Sequence, residues 1–242
     1  MAGLSVLVPC LNEADSLPDF VARVHGALRS SPLAAASGWE LILIDDGSRD
    51  ASWDCIQRLQ GTLPGLRAVR HARTAGIPSA WRTGLAHAQG DCICVIDADL
   101  QYDPEEIPRL WQSLHSTSAD IVQGVRAAGG RPRDPRYLLS RGLCGLLNLA
   151  FGMSLRDNKS GFFVCRRNVL ADLLAFSGRY RHWQCFVMVA AHHRGYRIHE
   201  VDTPFRSRRS GRSAFGTLAL GPAAGVALDL VTAWREYRPV RR

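Results

Sequence analysis

Asp91-Cys-Ile-Cys-Val-Ile-Asp-Ala-Asp-Leu-Gln101 sets a short apolar run directly before two carboxylates one residue apart. The run Cys92–Ile96 is too short for a helix that must bury one face, so it reads as a strand that ends at Asp97. The same grammar appears twice upstream. Leu4–Pro9 reads as a first strand, buried on both faces and followed by Cys10-Leu-Asn-Glu13, and Trp39–Ile44 reads as a second, ending at Asp45-Asp46-Gly47-Ser48. Residues 15–29 carry Leu17, Phe20, Val21, Val24 and Leu28 at helical spacing, with Asp15 or Ser16 available as cap. Further helices are expected over 51–60, capped by Ser48 or Asp50, and over 78–89, with Leu66–Arg70 as a strand between them.

Strands alternating with helices through short loops predict an α/β domain with a largely parallel central sheet. In such sheets ligands bind beyond the carboxyl ends of the strands. The three polar clusters Pro9–Glu13, Asp45–Asp46 and Asp97–Gln101 all fall there, and that coincidence marks the site. After residue 120 the pattern loosens. Ile121–Gly124 reads as a strand, Arg126 to Arg136 as an Arg- and Gly-rich loop, and 137–150 as an apolar helix. Asp157-Asn-Lys-Ser-Gly-Phe-Phe163 follows, then a helix over 183–194 and a strand over 196–201. Residues 217–234 are mostly apolar but interrupted by Gly, Pro222 and Asp229, short of the ~20 continuous apolar residues that cross a bilayer. They read as an amphipathic helix against the domain or a membrane surface. The expected division is a domain over 1–216 and an apolar helix with a basic tail over 217–242.

The seven cysteines include no CxxC pair, and their scatter through apolar stretches fits reduced thiols in the cytoplasm. The N-terminal stretch lacks the basic segment and cleavage site of a secretory signal. A cytoplasmic protein, at most peripheral to a membrane, is therefore expected. The net charge of +8 hides an asymmetry: residues 1–125 hold 9 basic and 15 acidic side chains, residues 126–242 hold 21 and 7. Of the 30 basic residues, only Lys159 is lysine. Basic residues crowded into one half suggest an anionic partner, whether phosphorylated substrate, membrane surface or nucleic acid. No nucleic-acid-binding module accompanies them, so nucleic acid is disfavoured.

Asp97, Asp99 and Gln101 carry the clearest chemistry. Mg²⁺ or Mn²⁺ takes oxygen ligands, commonly one or two carboxylates plus substrate phosphates, and neutralises charge on a leaving diphosphate. Asp45-Asp46 could accept hydrogen bonds from the ring N–H of uracil or guanine, or cap the following helix. The absence of GxGxxG and GxxxxGK disfavours a dinucleotide fold or P-loop. Arg126, Arg131, Arg133 and Arg136 form one basic loop, and Arg206, Arg208, Arg209 and Arg212 a second; forked guanidiniums suit phosphate oxygens. Phe162, Phe163 and Trp183 suit the core, His182, His192 and His193 lack ligand spacing, and Cys92 and Cys94 alternate as packing residues.

In their order, VPCLNE, LILIDDGSRD, VIDADLQYDPEEIPRL, ADIVQGVR, LLSRG, DNKSGFFVCRR and GYRIHEVDTPF resemble family 2 glycosyltransferases of GT-A fold. The likeness is greatest to the branch with dolichyl-phosphate mannose synthase and bacterial polyprenyl-phosphate glycosyltransferases. It implies a GT-A nucleotide-diphospho-sugar transferase fold with a Rossmann-like sheet. It implies nucleotide contacts from Pro9, Leu11, Glu13, Ile44, Asp46, Asp97 and Ala98, and a divalent metal, Mg or Mn, on Asp97, Asp99 and Gln101. It places an acceptor phosphate at Arg126, Arg136 and Ser140, Arg208 on the diphosphate side, and Asp157–Phe162 as the acceptor loop. Three departures touch the phosphate or acceptor side: Gly211-Arg-Ser213-Ala214 lacks the usual lysine, Ile77-Pro78 replaces a nucleotide-loop lysine, and an acid common in the late helix is absent. The expected activity is metal-dependent, inverting sugar transfer from a nucleotide-sugar donor to a polyprenyl monophosphate at a membrane surface. A hydroxyl acceptor would instead need a base, for which Asp157 is best placed. Asp99, Asp157 and Arg208 are thus the expected catalytic residues, and a non-catalytic nucleotide binder is the remote alternative.

Overall fold

The computed structural model describes residues 3–33, 38–126, 135–206 and 220–237. Seven strands form one sheet: β1 (Leu4–Cys10), β2 (Trp39–Asp45), β3 (Leu66–Arg70), β4 (Cys92–Val95), β5 (Ile121–Arg126), β6 (Phe163–Arg166) and β7 (Ile198–Thr203). Their order is β3-β2-β1-β4-β6-β5-β7. β6 alone runs antiparallel to its neighbours β4 and β5, and the other pairs are parallel. The helices are α1 (Leu17–Arg29), α2 (Ser52–Thr62), α3 (Ile77–His87), α4 (Ile107–Ser116), α5 (Pro135–Phe151), α6 (Arg167–Leu173), α7 (Val187–His193) and α8 (Leu220–Tyr237).

The central strands β1 and β4 and most of β2 are buried on both faces, so alternate side chains enter two cores. Leu4, Val6, Val8, Leu41, Leu43, Cys92 and Cys94 face α1, α2 and α4, where Phe20, Val24, Ile56, Leu110 and Trp111 close the layer. Leu7, Ile42, Ile44, Ile93 and Val95 face the other way, against Trp81 of α3, Leu147 of α5, Leu170 of α6 and α7. Phe162, Phe163 and Trp183 are fully buried, as core residues should be.

Two elements are added to the expected set and a third is divided. Phe163–Arg166 is a strand and Arg167–Leu173 a helix, and residues 183–194 split into a 3-10 turn at Trp183–Cys185 followed by α7. The tail helix α8 packs on the domain: Val226, Ala233 and Tyr237 are buried in the second core. Asp229 accepts backbone N–H bonds from Arg181 (3.1 Å) and His182 (2.6 Å), and Glu236 accepts the Tyr180 hydroxyl at 2.6 Å. Among the described residues no helix is long and apolar enough to cross a membrane. The expected 216/217 boundary lies outside the described residues.

Candidate active site

The loops leaving β1 and β2 are stitched into one floor. Asn12, at φ 56°, accepts the Arg49 N–H on Oδ1 (2.9 Å) and donates its own N–H to Ser48 Oγ (2.9 Å). Glu13 N–H donates to Ser52 Oγ at 2.8 Å, and Asp46 N–H donates to Cys10 O at 2.8 Å. Gly47 is required here: at φ 77° a Cβ would lie 2.7 Å from the backbone of Arg73 and Thr74. Asp45 accepts the Ser48 N–H at 3.0 Å, which closes a turn ahead of α2 without capping it; the N-cap of α2 is Ala51.

Asp46 has tertiary partners that the sequence does not announce. Its carboxylate accepts N–H bonds from Ala75 (2.9 Å) and Gly76 (2.8 Å) and lies 2.7 Å from His71 Nδ1. His71 Nε2 in turn lies 2.9 Å from Thr83 Oγ1. Asp46 therefore holds the 71–76 loop over the strand ends. Ile44 is fully buried in the second core, against α3, which leaves only its backbone for a ligand. Pro9 is half-buried, Leu11 exposed and Glu13 buried, its carboxylate accepting from Ser16 Oγ at 2.9 Å.

Beyond β4, Ala98 and Leu100 turn into the core while Asp97, Asp99 and Gln101 stay half-exposed. Leu100 sits at φ 58°, and Gln101 N–H donates to Asp99 Oδ1 at 3.0 Å, which closes a tight turn. Burial pushes the Cys10 thiol up, and the negative charges of Glu13, Asp45 and Asp97 push it further. Carboxylates at or beyond the ends of three strands thus lie within electrostatic reach of one buried thiol. Among the described residues no group of three His, Cys, Asp or Glu side chains is gathered to enclose a metal. Asp97 and Asp99, two half-exposed carboxylates one residue apart, fit instead a cation that completes its shell with diphosphate oxygens.

A second cluster adjoins this corner. Arg126, at the end of β5, forms a forked pair with Asp157, Nε–Oδ2 2.5 Å and Nη2–Oδ1 2.7 Å. Burial alone would raise the Asp157 carboxyl, but the bonds and charge of Arg126 outweigh it and hold it below the ordinary aspartate value. Burial likewise works against the Arg126 cation, and the Asp157 bonds more than compensate. Asp157 is therefore an anchor and a weak base, and Arg126 is already engaged. Lys159 Nζ donates to Ser140 O at 2.6 Å, and Ser160 Oγ to Gly124 O at 2.6 Å. A Cβ on Gly161 would lie 2.9 Å from Asp97 Oδ2, so the loop that carries Asp157 and Gly161 abuts Asp97. Between α5 and this loop lies a cavity of about 130 Å³, lined by residues including Arg126, Ser140, Arg141, Asp157 and Lys159. Arg206 N–H donates to Gln101 O at 2.8 Å, and its side chain reaches Asp103 at 3.2 Å. The side chain of Arg136, and Arg131, Arg133, Arg208, Arg209 and Arg212, lie outside the described residues.

A parallel sheet with one reversed strand and carboxylates at its edge is the GT-A architecture of nucleotide-sugar transferases. Residues 5–174 match Glycosyl transferase family 2, and the chain belongs to that family. It is 34% identical over 173 residues to dolichol-phosphate mannosyltransferase of Pyrococcus furiosus, covering 69% of this chain and 47% of that one. It is 33% identical over 234 residues to undecaprenyl-phosphate 4-deoxy-4-formamido-L-arabinose transferase of Edwardsiella ictaluri, covering 95% of this chain and 67% of that one. The chain thus spans about half to two thirds of these curated relatives. Among solved structures, glucosyl-3-phosphoglycerate synthase of Mycobacterium tuberculosis in complex with Mn²⁺, UDP and glucosyl-3-phosphoglycerate superposes with a TM-score of 0.71 at 21% identity, covering 98% of this chain and 80% of that one. A mannosyltransferase from Pyrobaculum calidifontis in complex with GDP-Man and Mn²⁺ gives 0.66 at 19%, covering 96% and 63%.

Proposed function

We propose that the chain transfers a sugar, with inversion, from a nucleotide-diphosphate sugar to a polyprenyl monophosphate. The observation that carries this reading is the sharing of one loop by two subsites. Gly161 abuts Asp97, while Asp157 and Lys159, two to four residues earlier, line the cation-bearing cavity. A donor over the strand ends and an anionic acceptor in the cavity would meet across that loop. Asp97, Asp99 and Gln101 would hold Mg²⁺ or Mn²⁺, which when bound neutralises the departing diphosphate. Pro9, Leu11 and Glu13 border the nucleotide floor, with Asp46 holding the loop above it and the backbones of Ile44 and Ala98 beneath. Arg208 is proposed for the diphosphate side, and Arg136 and Ser140 for the acceptor.

A phosphate oxygen is already anionic, so the reaction needs orientation and charge stabilisation and no general base. A hydroxyl acceptor would need one, and Asp157, paired and held below the ordinary aspartate value, is poorly suited to that task. The relatives named for dolichol and undecaprenyl phosphates support a lipid carrier.

Helix α5 supports a position at a membrane surface. Leu138, Leu139, Leu146 and Leu149 are exposed, Leu149 at 84%, while Leu147 is fully buried. At the helical repeat the four lie within an arc of about 100°, turned about 80–180° away from Leu147. A stripe of leucines turned outward beside an anion cavity fits insertion into lipid.

The test is a panel of nucleotide-sugars assayed with a polyprenyl phosphate, with Mn²⁺, Mg²⁺ or chelator. Transfer should require the metal and be abolished by Asp99→Asn without loss of fold. Full activity of that variant in excess chelator would overturn the metal assignment, and an inert polyprenyl phosphate beside a glycosylated neutral alcohol would overturn the acceptor.

A further inference from the structure

We propose that Lys159, with Arg141, forms the anion subsite of the cavity between α5 and the Asp157 loop, and that this subsite takes a phosphate-monoester dianion. The inference rests on the transferase reading above and assigns within it the residues that recognise the acceptor's charge.

Among the described residues the cavity wall carries four cations, Arg126, Arg141, Arg156 and Lys159, and two carboxylates, Asp157 and Asp202. Two of the cations are neutralised in place. Arg126 is forked onto Asp157, and Arg156 Nη1 lies 2.8 Å from Asp202. Lys159 and Arg141 are left uncompensated, a surplus of two charges. A phosphate monoester carries about −1.5 to −2 near neutral pH, so the surplus matches one such group.

Lys159 is also built to be presented. Its backbone N–H donates to Asp157 Oδ1 at 3.3 Å, so the Arg126–Asp157 pair fixes the start of its side chain. Its ammonium donates to Ser140 O on α5 at 2.6 Å, which leaves two of its three protons for a ligand. Burial lowers the Lys159 pKa, and the Arg126 charge also weighs against the cation, though Asp157 offsets part of this. An incoming dianion would relieve that cost, so binding and protonation favour each other. Arg141 stands exposed at the cavity, where it can meet the outer oxygens of the same group. The chain lacks the lysine that resembling sequences place after Gly211-Arg-Ser213, and Lys159 is its only lysine. The volume, about 130 Å³, exceeds the ~30 Å³ share of one water and admits a phosphate head. The same chemistry is offered by a lipid head group or by a soluble phosphate ester.

Because the chain has one lysine, biosynthetic ¹³C-lysine gives a single side-chain signal, and the site can be read in the intact protein. Citronellyl phosphate should shift the Lys159 Cε signal and raise its titration midpoint, while citronellol leaves both unchanged. Lys159→Met should raise KM for the prenyl phosphate at least tenfold, with KM for the nucleotide-sugar within twofold, and Lys159→Arg should recover part of the loss. A Cε signal that stays still at prenyl phosphate concentrations saturating transfer refutes the subsite and leaves the proposed reaction standing. If a soluble phosphorylated hydroxy acid moves the signal and is glycosylated while prenyl phosphate does neither, the subsite stands and the lipid acceptor falls. If no phosphate ester moves the signal, the inference is wrong.

Discussion

Asp157→Asn separates two roles that the sequence leaves open, a catalytic base and a structural anchor. The substitution keeps the shape of the side chain and removes its charge. In the native protein the carboxylate meets Arg126 through bonds of 2.5 and 2.7 Å, with side-chain exposures of 9% for Asp157 and 17% for Arg126. Solvent screens so buried a pair little, and removing one partner costs about 3–5 kcal/mol. The amide oxygen introduced by the substitution could still accept from Arg126, which places the expected loss near the lower end, about 3 kcal/mol. For a chain of this size each kcal/mol moves Tm by about 2–4 °C, so a fall of about 6–12 °C is expected. Arg126→Gln should cost a similar amount, and the double variant less than the sum by about 1–3 kcal/mol. Turnover with a polyprenyl phosphate, measured well below the lowered Tm, should stay within about tenfold, because loss of a true general base costs about 10²–10⁴. The pH dependence has a fixed sign. The folded-state pKa of Asp157 is depressed, so its contribution is present above the ordinary aspartate pKa of about 3.9 and is lost as pH falls through the lower folded value. Thermal denaturation together with initial rates decides the matter. An unchanged Tm with a hundredfold or greater loss of kcat would make Asp157 the base and refute the anchor.

Gly161→Ala should weaken Mn²⁺ binding about tenfold while leaving Tm nearly unchanged, because the new Cβ presses on Asp97 Oδ2, 2.9 Å away, from outside the ligand set. Calorimetry with Mn²⁺ and a nucleoside diphosphate reads this directly, and wild-type affinity would mean that Asp97 does not touch the ion. Leu146→Ser with Leu149→Ser should lower partition to anionic vesicles tenfold or more, since burying each leucine contributes about 1.5–3 kcal/mol. Both are exposed, so stability should hold; vesicle sedimentation unchanged by the double substitution would remove α5 from the membrane face.

What the sequence discloses follows from where the information is stored. The strands β1, β2 and β4 are legible because each is a buried apolar run, and their polar followers announce the ligand edge of the sheet. β6 is hidden: four residues, Phe163–Arg166, continue a polar loop and show neither alternation nor a clear boundary. Its reversed direction depends on neighbours, since it pairs antiparallel with both β4 and β5. The position of Asp46 is legible but its partners are not. His71 and Gly76 lie 25 and 30 residues away, and only the parallel pairing of β2 with β3 brings them together. Asp157 and Arg126, 31 residues apart, are the same case. A local pattern reveals which residues are polar at the site, and tertiary pairing decides which of them remain available to a ligand.

The arginine-rich second half shows why that distinction matters. Counted along the chain, its excess of basic side chains suggests a broad cationic surface. In space four of these arginines face carboxylates: Arg126 faces Asp157, Arg156 faces Glu200 and Asp202, Arg194 faces Asp172, and Arg197 faces Asp120. Arg126–Asp157 is buried, whereas the other pairs each have an exposed partner and add little stability. Arg167 instead donates to the backbone carbonyl of Leu85 at 3.1 Å, where it serves the packing of α3. Within the cavity, among the described residues, the cations without a carboxylate partner are Lys159 and Arg141. Recognition of a phosphate therefore turns on the one basic residue that composition makes least conspicuous, because a flexible ammonium can sit against Ser140 O and still keep protons free for a second acceptor.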